Sequence, residues 1–158
     1  MVDIILTTGT GQGPTELSAF DSALNSAGIS NLNLIHLSSV IPNNSKIIEK
    51  KYFTDPKEYG YKAYCVFSRN ITSKRGDKVY AGLGWLMKSD TSNGGLFVEH
   101  QCSTEEGVRK HITDSLTRMQ EYRKEKYAKI QMKIIGIECK DQPVCALVCA
   151  IYKTEGWE

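Results

Sequence analysis

The side chains able to do chemistry in this chain are few, and an adjacent pair of hydroxyls, Ser38 and Ser39, stands out among them. The pair follows the alternating segment Leu32 to Leu37 and precedes Val40, Ile41 and Pro42. A nucleophile elbow holds its serine between glycines on a sharp turn; Leu37 and Val40 are too large for that turn, so a hydrolase-type triad has little support. Two carboxylates stand among apolar residues. Glu99 follows Leu96, Phe97 and Val98, and is either an exposed edge-strand acid or a buried one whose raised pKa would keep a proton near neutrality. Asp21 falls at helical spacing from Leu17 and Leu24. That core-facing place calls for a partner, of which a nearby lysine is the plainest.

Two other constellations carry less. Gly9, Gly11 and Gly13 between a strand and a helix would suit phosphate, but Pro14 stands where a dinucleotide fingerprint needs glycine, and no Gly-Lys-Ser/Thr follows. A tight turn that brings the helix close to the sheet explains these glycines better. The five cysteines form no Cys-x-x-Cys pair and have no histidine pair beside them. They read as buried thiols rather than a disulfide framework, and no metal is expected.

The elements that must position these groups fit one domain spanning residues 1–158, since 41% hydrophobic and 24% charged residues suit a soluble chain with a full core. A formal charge of +2 argues against nucleic acid or an anionic membrane as a partner. No run approaches the roughly 18 apolar residues of a membrane span, and Asp3 stands where a signal peptide carries its basic start. A cytoplasmic protein is expected.

Val2 to Thr8 reads as a strand, Pro14 to Ala27 as a helix with the stripe Leu17, Phe20, Leu24 and Ala27, closed by Gly28, and Leu32 to Ser39 as a second strand. Pro42 to Tyr59 reads as irregular with one short extended piece around Ile47. Tyr61 to Ile71 and Lys78 to Met87 suggest a hairpin, with Gly82 and Gly84 on a face that another layer approaches closely. Leu96 to Cys102 precedes a capping box at Ser103 and Glu106, which opens a helix with the stripe Val108, Ile112, Leu116, Met119 and Tyr122. Gln131 to Glu138 and Val144 to Ile151 are closing strands, the last with Cys145, Leu147, Cys149 and Ile151 on one face. Two strand-helix-strand halves with strands in excess predict an α+β fold: a four-layer αββα sandwich with two mainly antiparallel sheets inside two helices.

The stretch Ile5 to Pro42, with its glycine-rich turn, Ala19, Phe20, Asp21, Ala23, Leu24, then Ala27, Gly28, Ile29, Asn33, Leu34, Ile35 and the closing Ser38, Ser39, Val40, Ile41, Pro42, resembles the pyruvoyl-dependent arginine decarboxylases. Gly95 to Glu99 is similar to the family's strand with its catalytic glutamate, and Cys145 to Tyr152 to its closing strand. The resemblance implies a proenzyme that cuts itself between Ser38 and Ser39 into a β chain, 1–38, and an α chain, 39–158. Ser39 attacks the Ser38 carbonyl and becomes a covalent pyruvoyl group, which replaces pyridoxal phosphate and holds the substrate as a Schiff base. It further implies that Asn33, on the same strand face as Ser39 by alternation, assists cleavage by hydrogen bonding and that Glu99 reprotonates the carbanion. Asp21, with the new carboxylate of Ser38, would bind the arginine guanidinium through paired hydrogen bonds. The implied reaction turns L-arginine into agmatine and CO2, for polyamine synthesis or acid resistance, at sites between the subunits of a homotrimer. Another basic amino acid such as histidine, or an unprocessed trimeric ligand-binding protein, are the competing readings. His36 departs from what the family resemblance leads one to expect before the cleavage pair, and no role is expected for it. His100 is expected to face away from Glu99, and His111 to lie on a helix surface.

Overall fold

A computed structural model describes all of residues 1–158. The strands are β1 (Val2–Gln12), β2 (Asn33–His36), β3 (Val40–Ile41), β4 (Ser45–Glu49), β5 (Lys62–Thr72), β6 (Lys78–Met87), β7 (Gly95–Cys102), β8 (Gln131–Glu138) and β9 (Val144–Glu155); the helices are α1 (Glu16–Ala27) and α2 (Glu105–Glu121). They form a five-stranded sheet in the order β2-β5-β9-β1-β4 and a four-stranded sheet in the order β3-β7-β6-β8. Only β1 with β4 and β2 with β5 run parallel. The sheets pack face to face with one helix on each outer side, giving the αββα sandwich and both strand-helix-strand halves expected above.

The alternation of β9 shows why the layers form. Cys145, Leu147, Cys149 and Ile151 point under α1, packed with Ala19, Ala23 and Ala27, while Val148 and Ala150 point between the sheets with Ile4, Leu6, Val66, Leu83 and Phe97. A strand buried on both faces must be apolar throughout, as this one is. On the other side, Val108, Ile112 and Leu116 of α2 pack on Leu86, Leu96 and Val98. Gly82 and Gly84 let that helix approach, since a methyl on Gly84 would run into the Ile112 side chain. The neighbouring layer expected on the glycine face is therefore α2.

Several local expectations need correction. β1 does not stop at Thr8 but runs to Gln12 through Gly9 and Gly11. These glycines are strand residues against which the α1 main chain lies, since a methyl on either would strike the backbone around Ala23. The face α1 buries is accordingly the small one, Ala19, Ala23 and Ala27 with Leu24, while Leu17 is 75% exposed. A Gly11→Ala substitution is expected to cost about 1–3 kcal/mol by overpacking, read as a lower denaturant midpoint at unchanged slope. An unshifted midpoint would contradict the close approach of α1.

The strand pair β5 and β6 is not a hairpin, because the two belong to different sheets. The short link between them crosses the sandwich instead. α2 is capped by Thr104, whose hydroxyl accepts from the Gly107 N–H at 3.0 Å, and not by Ser103. α1 ends as expected, with Gly28 in the left-handed region at φ 86°.

Candidate active site

The chain changes sheets at the serine pair. β2 lies on β5 in the larger sheet, and the Leu37 N–H still reaches the Cys65 carbonyl at 2.8 Å. Two residues later the Ser39 carbonyl accepts from the Phe97 N–H of the other sheet at 2.8 Å, and Val40 and Ile41 pair with Leu96 and Gly95. Bridging that gap turns Ser39 into the left-handed region, φ 75°, a conformation that costs a residue with a side chain about 1–3 kcal/mol. The Ser38–Ser39 peptide bond is thus the crossover between two anchored strands. Ser38 is exposed, whereas Ser39 is buried.

Glu99 shares the face of β7 that carries Phe97 into the inter-sheet core. It lies two residues beyond Phe97, at the open end of that core, where its side chain is half-buried. The Ser39 hydroxyl donates to Glu99 Oε1. His36 Nε2 lies 3.2 Å from the same oxygen, and its ring stacks on Phe67 with centroids 4.6 Å apart and planes at 27°. Tyr152, towards the end of β9, donates its hydroxyl to the Val40 carbonyl at 3.1 Å, directly after the serine pair. Burial, with the nearby Glu99 and Cys65 adding to it, pushes the Tyr152 phenol far up, so it remains a donor. The cluster therefore holds a hydroxyl on a carboxylate that also has an imidazole neighbour, an arrangement able to take the proton from Ser39.

The structure brings Ser38, Ser39 and Glu99 together and leaves the other two candidates apart. Asn33 was expected on the face of Ser39 by strand alternation, but β2 ends at His36 and the alternation ends with it. The Asn33 amide instead donates to the Gly60 carbonyl at 2.8 Å and makes no hydrogen bond to the serine pair. Asp21 is not on the buried stripe: it is exposed on the outer side of α1, in no ion pair. His36 and Tyr152 were missed. Strand alternation would turn His36 away from Ser39, and the only hint at Tyr152 is a polar tip closing an apolar strand. His100 faces away from the Glu99 side of β7 as expected, its Nε2 2.7 Å from the Ser115 hydroxyl on α2, with burial and then His111 lowering its pKa. His111 is exposed.

A groove of about 480 Å³ runs past Val40, Ile41 and Pro42, with Lys88, Arg123 and Tyr127 also lining it. Neither Glu99 nor His36 lines it, so the convergence of side chains, not cavity size, marks the site. No group of three or more histidine, cysteine or acidic side chains is placed to hold a metal ion.

A family model described as pyruvoyl-dependent arginine decarboxylase matches residues 3–155. The chain belongs to that family. Among curated relatives, a pyruvoyl-dependent arginine decarboxylase of Methanothermobacter thermautotrophicus is 38% identical over 90 residues, 57% of this chain and 57% of that protein. One of Methanococcus vannielii is 35% identical over 120 residues, 73% of this chain and 66% of that protein. The chain thus spans about three fifths of the length of these relatives. A solved pyruvoyl-dependent histidine decarboxylase shares 12% identity over 67% of this chain and 55% of that one, with a TM-score of 0.46, too low to bear on the site.

Proposed function

We propose that the chain is a proenzyme that cuts itself between Ser38 and Ser39, and that the matured protein decarboxylates L-arginine to agmatine. The observation that carries this reading is Ser39 itself, buried, held at φ 75°, with its hydroxyl on the Glu99 carboxylate. Glu99 takes the hydroxyl proton as Ser39 Oγ attacks the Ser38 carbonyl carbon, so the amide is exchanged for an ester. Opening the Ser38–Ser39 amide frees Ser39 from its strained backbone setting, so the strain favours the forward step. Elimination then breaks the Ser39 Cβ–Oγ bond, releasing Ser38 as a carboxylate and leaving dehydroalanine at residue 39; its imine tautomer is hydrolysed by water, which supplies the keto oxygen of the pyruvoyl group as ammonia leaves.

A buried serine preceded by an exposed one, both tied to separate sheets, suits this group, which supplies the electron sink that decarboxylation requires. Cleavage leaves 1–38 in place, because β1 stays paired with β9 and β4 while β2 stays on β5. Glu99, freed of the Ser39 hydroxyl, stands beside residue 39, placed to deliver a proton to the α-carbon after CO2 departs.

Substrate choice rests on Asp21 and the new carboxylate of Ser38, two anions for one guanidinium. The Asp21 carboxylate is exposed and has no ion-pair partner. Within one protomer it makes no bond to the serine pair; a homotrimer that sets α1 of one subunit against the cleavage pair of the next would join them. Five free thiols suit the reducing cytoplasm, and no helix is long and apolar enough to cross a membrane.

Purified protein given L-arginine or L-histidine tests the reading, with agmatine expected from the first and little histamine from the second. In the same assay Asp21→Ala is expected to raise the KM for arginine about 10- to 100-fold, the worth of charged hydrogen bonds of about 1.5–3 kcal/mol, with processing intact. Unchanged arginine kinetics would remove Asp21 from the pocket. Asn33→Ala processed at the wild-type rate would likewise remove Asn33 from cleavage.

A further inference from the structure

Decarboxylation consumes a proton in every turnover, because the carboxylate leaves as neutral CO2 and a new C–H bond takes its place. If Glu99 supplies that proton, it must be recharged from water. Its Oε1 faces Ser39 and His36. Of the titratable side chains near it, Tyr152 is 9% exposed with a phenol that burial keeps protonated, and His100 lies on the other face of β7 with its Nε2 on the Ser115 hydroxyl. His36 is different: within one protomer its side chain is 44% exposed, yet Nε2 sits 3.2 Å from the carboxylate. Phe67, stacked flat on the ring, sets the plane in which that nitrogen meets Glu99.

We propose that His36 is the proton relay between water and Glu99, a positioning and proton-supplying residue for the arginine decarboxylase reading, on which this inference rests. After each turnover the His36 Nε2–H bond breaks and the Glu99 Oε1–H bond forms. The neutral ring then takes its replacement proton from water or a buffer acid. Phe67 keeps the ring from swinging out of reach between transfers.

The test compares matured wild-type protein with His36→Ala and His36→Gln. Both variants are expected to be processed, with kcat lowered about 10- to 100-fold and KM for arginine within about twofold of wild type. Added imidazole is expected to restore His36→Ala in proportion to its concentration, while His36→Gln, whose amide hydrogen-bonds but relays no proton, gains nothing. A merely structural histidine would not respond to a diffusible imidazole. A readout independent of turnover uses the Ser39→Ala proenzyme: its nitrogen NMR spectrum should show His36 protonated and hydrogen-bonded at Nε2, a signature lost when Glu99→Ala is added. Full kcat in processed His36→Ala, no imidazole response, or a spectrum indifferent to Glu99 would overturn the relay alone. A processed wild type inert towards arginine would overturn the enzyme reading and the relay with it.

Discussion

Ser39→Ala protein is expected to remain a single uncut chain of 158 residues and to release no CO2 from arginine. Alanine keeps the Cβ and the backbone setting but has no oxygen to attack the Ser38 carbonyl, so neither the ester nor the pyruvoyl group derived from it can form. The fold should survive, because Ser39 is held by its carbonyl on the Phe97 N–H and by the β3 pairing that follows, neither of which uses its side chain. Circular dichroism matching that of a processed protein, together with a single band on a denaturing gel, would separate lost chemistry from lost structure. A Ser39→Ala chain still cut at 38/39 would refute the assignment of the nucleophile.

Glu99→Gln should be the next most damaging change. The amide matches the carboxylate in size and can accept from Ser39, so packing at the open end of the core is preserved. It cannot take a proton from the Ser39 hydroxyl or hold one for the α-carbon. Losing general acid–base help of this kind lowers kcat about 10²- to 10⁴-fold, with little change in KM because Glu99 is not expected to contact the guanidinium. A time course of chain cleavage should show slower processing in parallel. If both rates stay within about twofold of wild type, Glu99 only ties the serine pair to β7.

Much of the fold is legible in the sequence, and the departures from it have physical causes. The double-faced apolar run of β9 and the glycines of β6 pointed to stacked layers because each pattern has one economical explanation. The partner sheet of β5 and β6 was hidden, since a short polar link serves a hairpin or a crossover equally well. Helical spacing from the large residues Leu17 and Leu24 puts Asp21 on the buried face of α1, but that face is the small one. The close approach to Gly9 and Gly11 favours Ala19, Ala23 and Ala27 there and turns Leu17 outward. Strand alternation carried past His36 put Asn33 on the face of Ser39; the left-handed turn at Ser39 breaks that alternation. The same break brings His36 to Glu99, a contact no spacing rule contains.

Self-cleavage at the sheet crossover is read out by the intact mass of the purified protein under denaturing, reducing conditions, with a second measurement after borohydride treatment in the presence of arginine. Two chains are expected, residues 1–38 and 39–158, the larger lighter by one ammonia than a serine-started chain and carrying a trapped arginine-derived adduct after reduction. A single chain with the mass of all 158 residues, unchanged by arginine and borohydride, would contradict it and leave a ligand-binding protein built on the same fold.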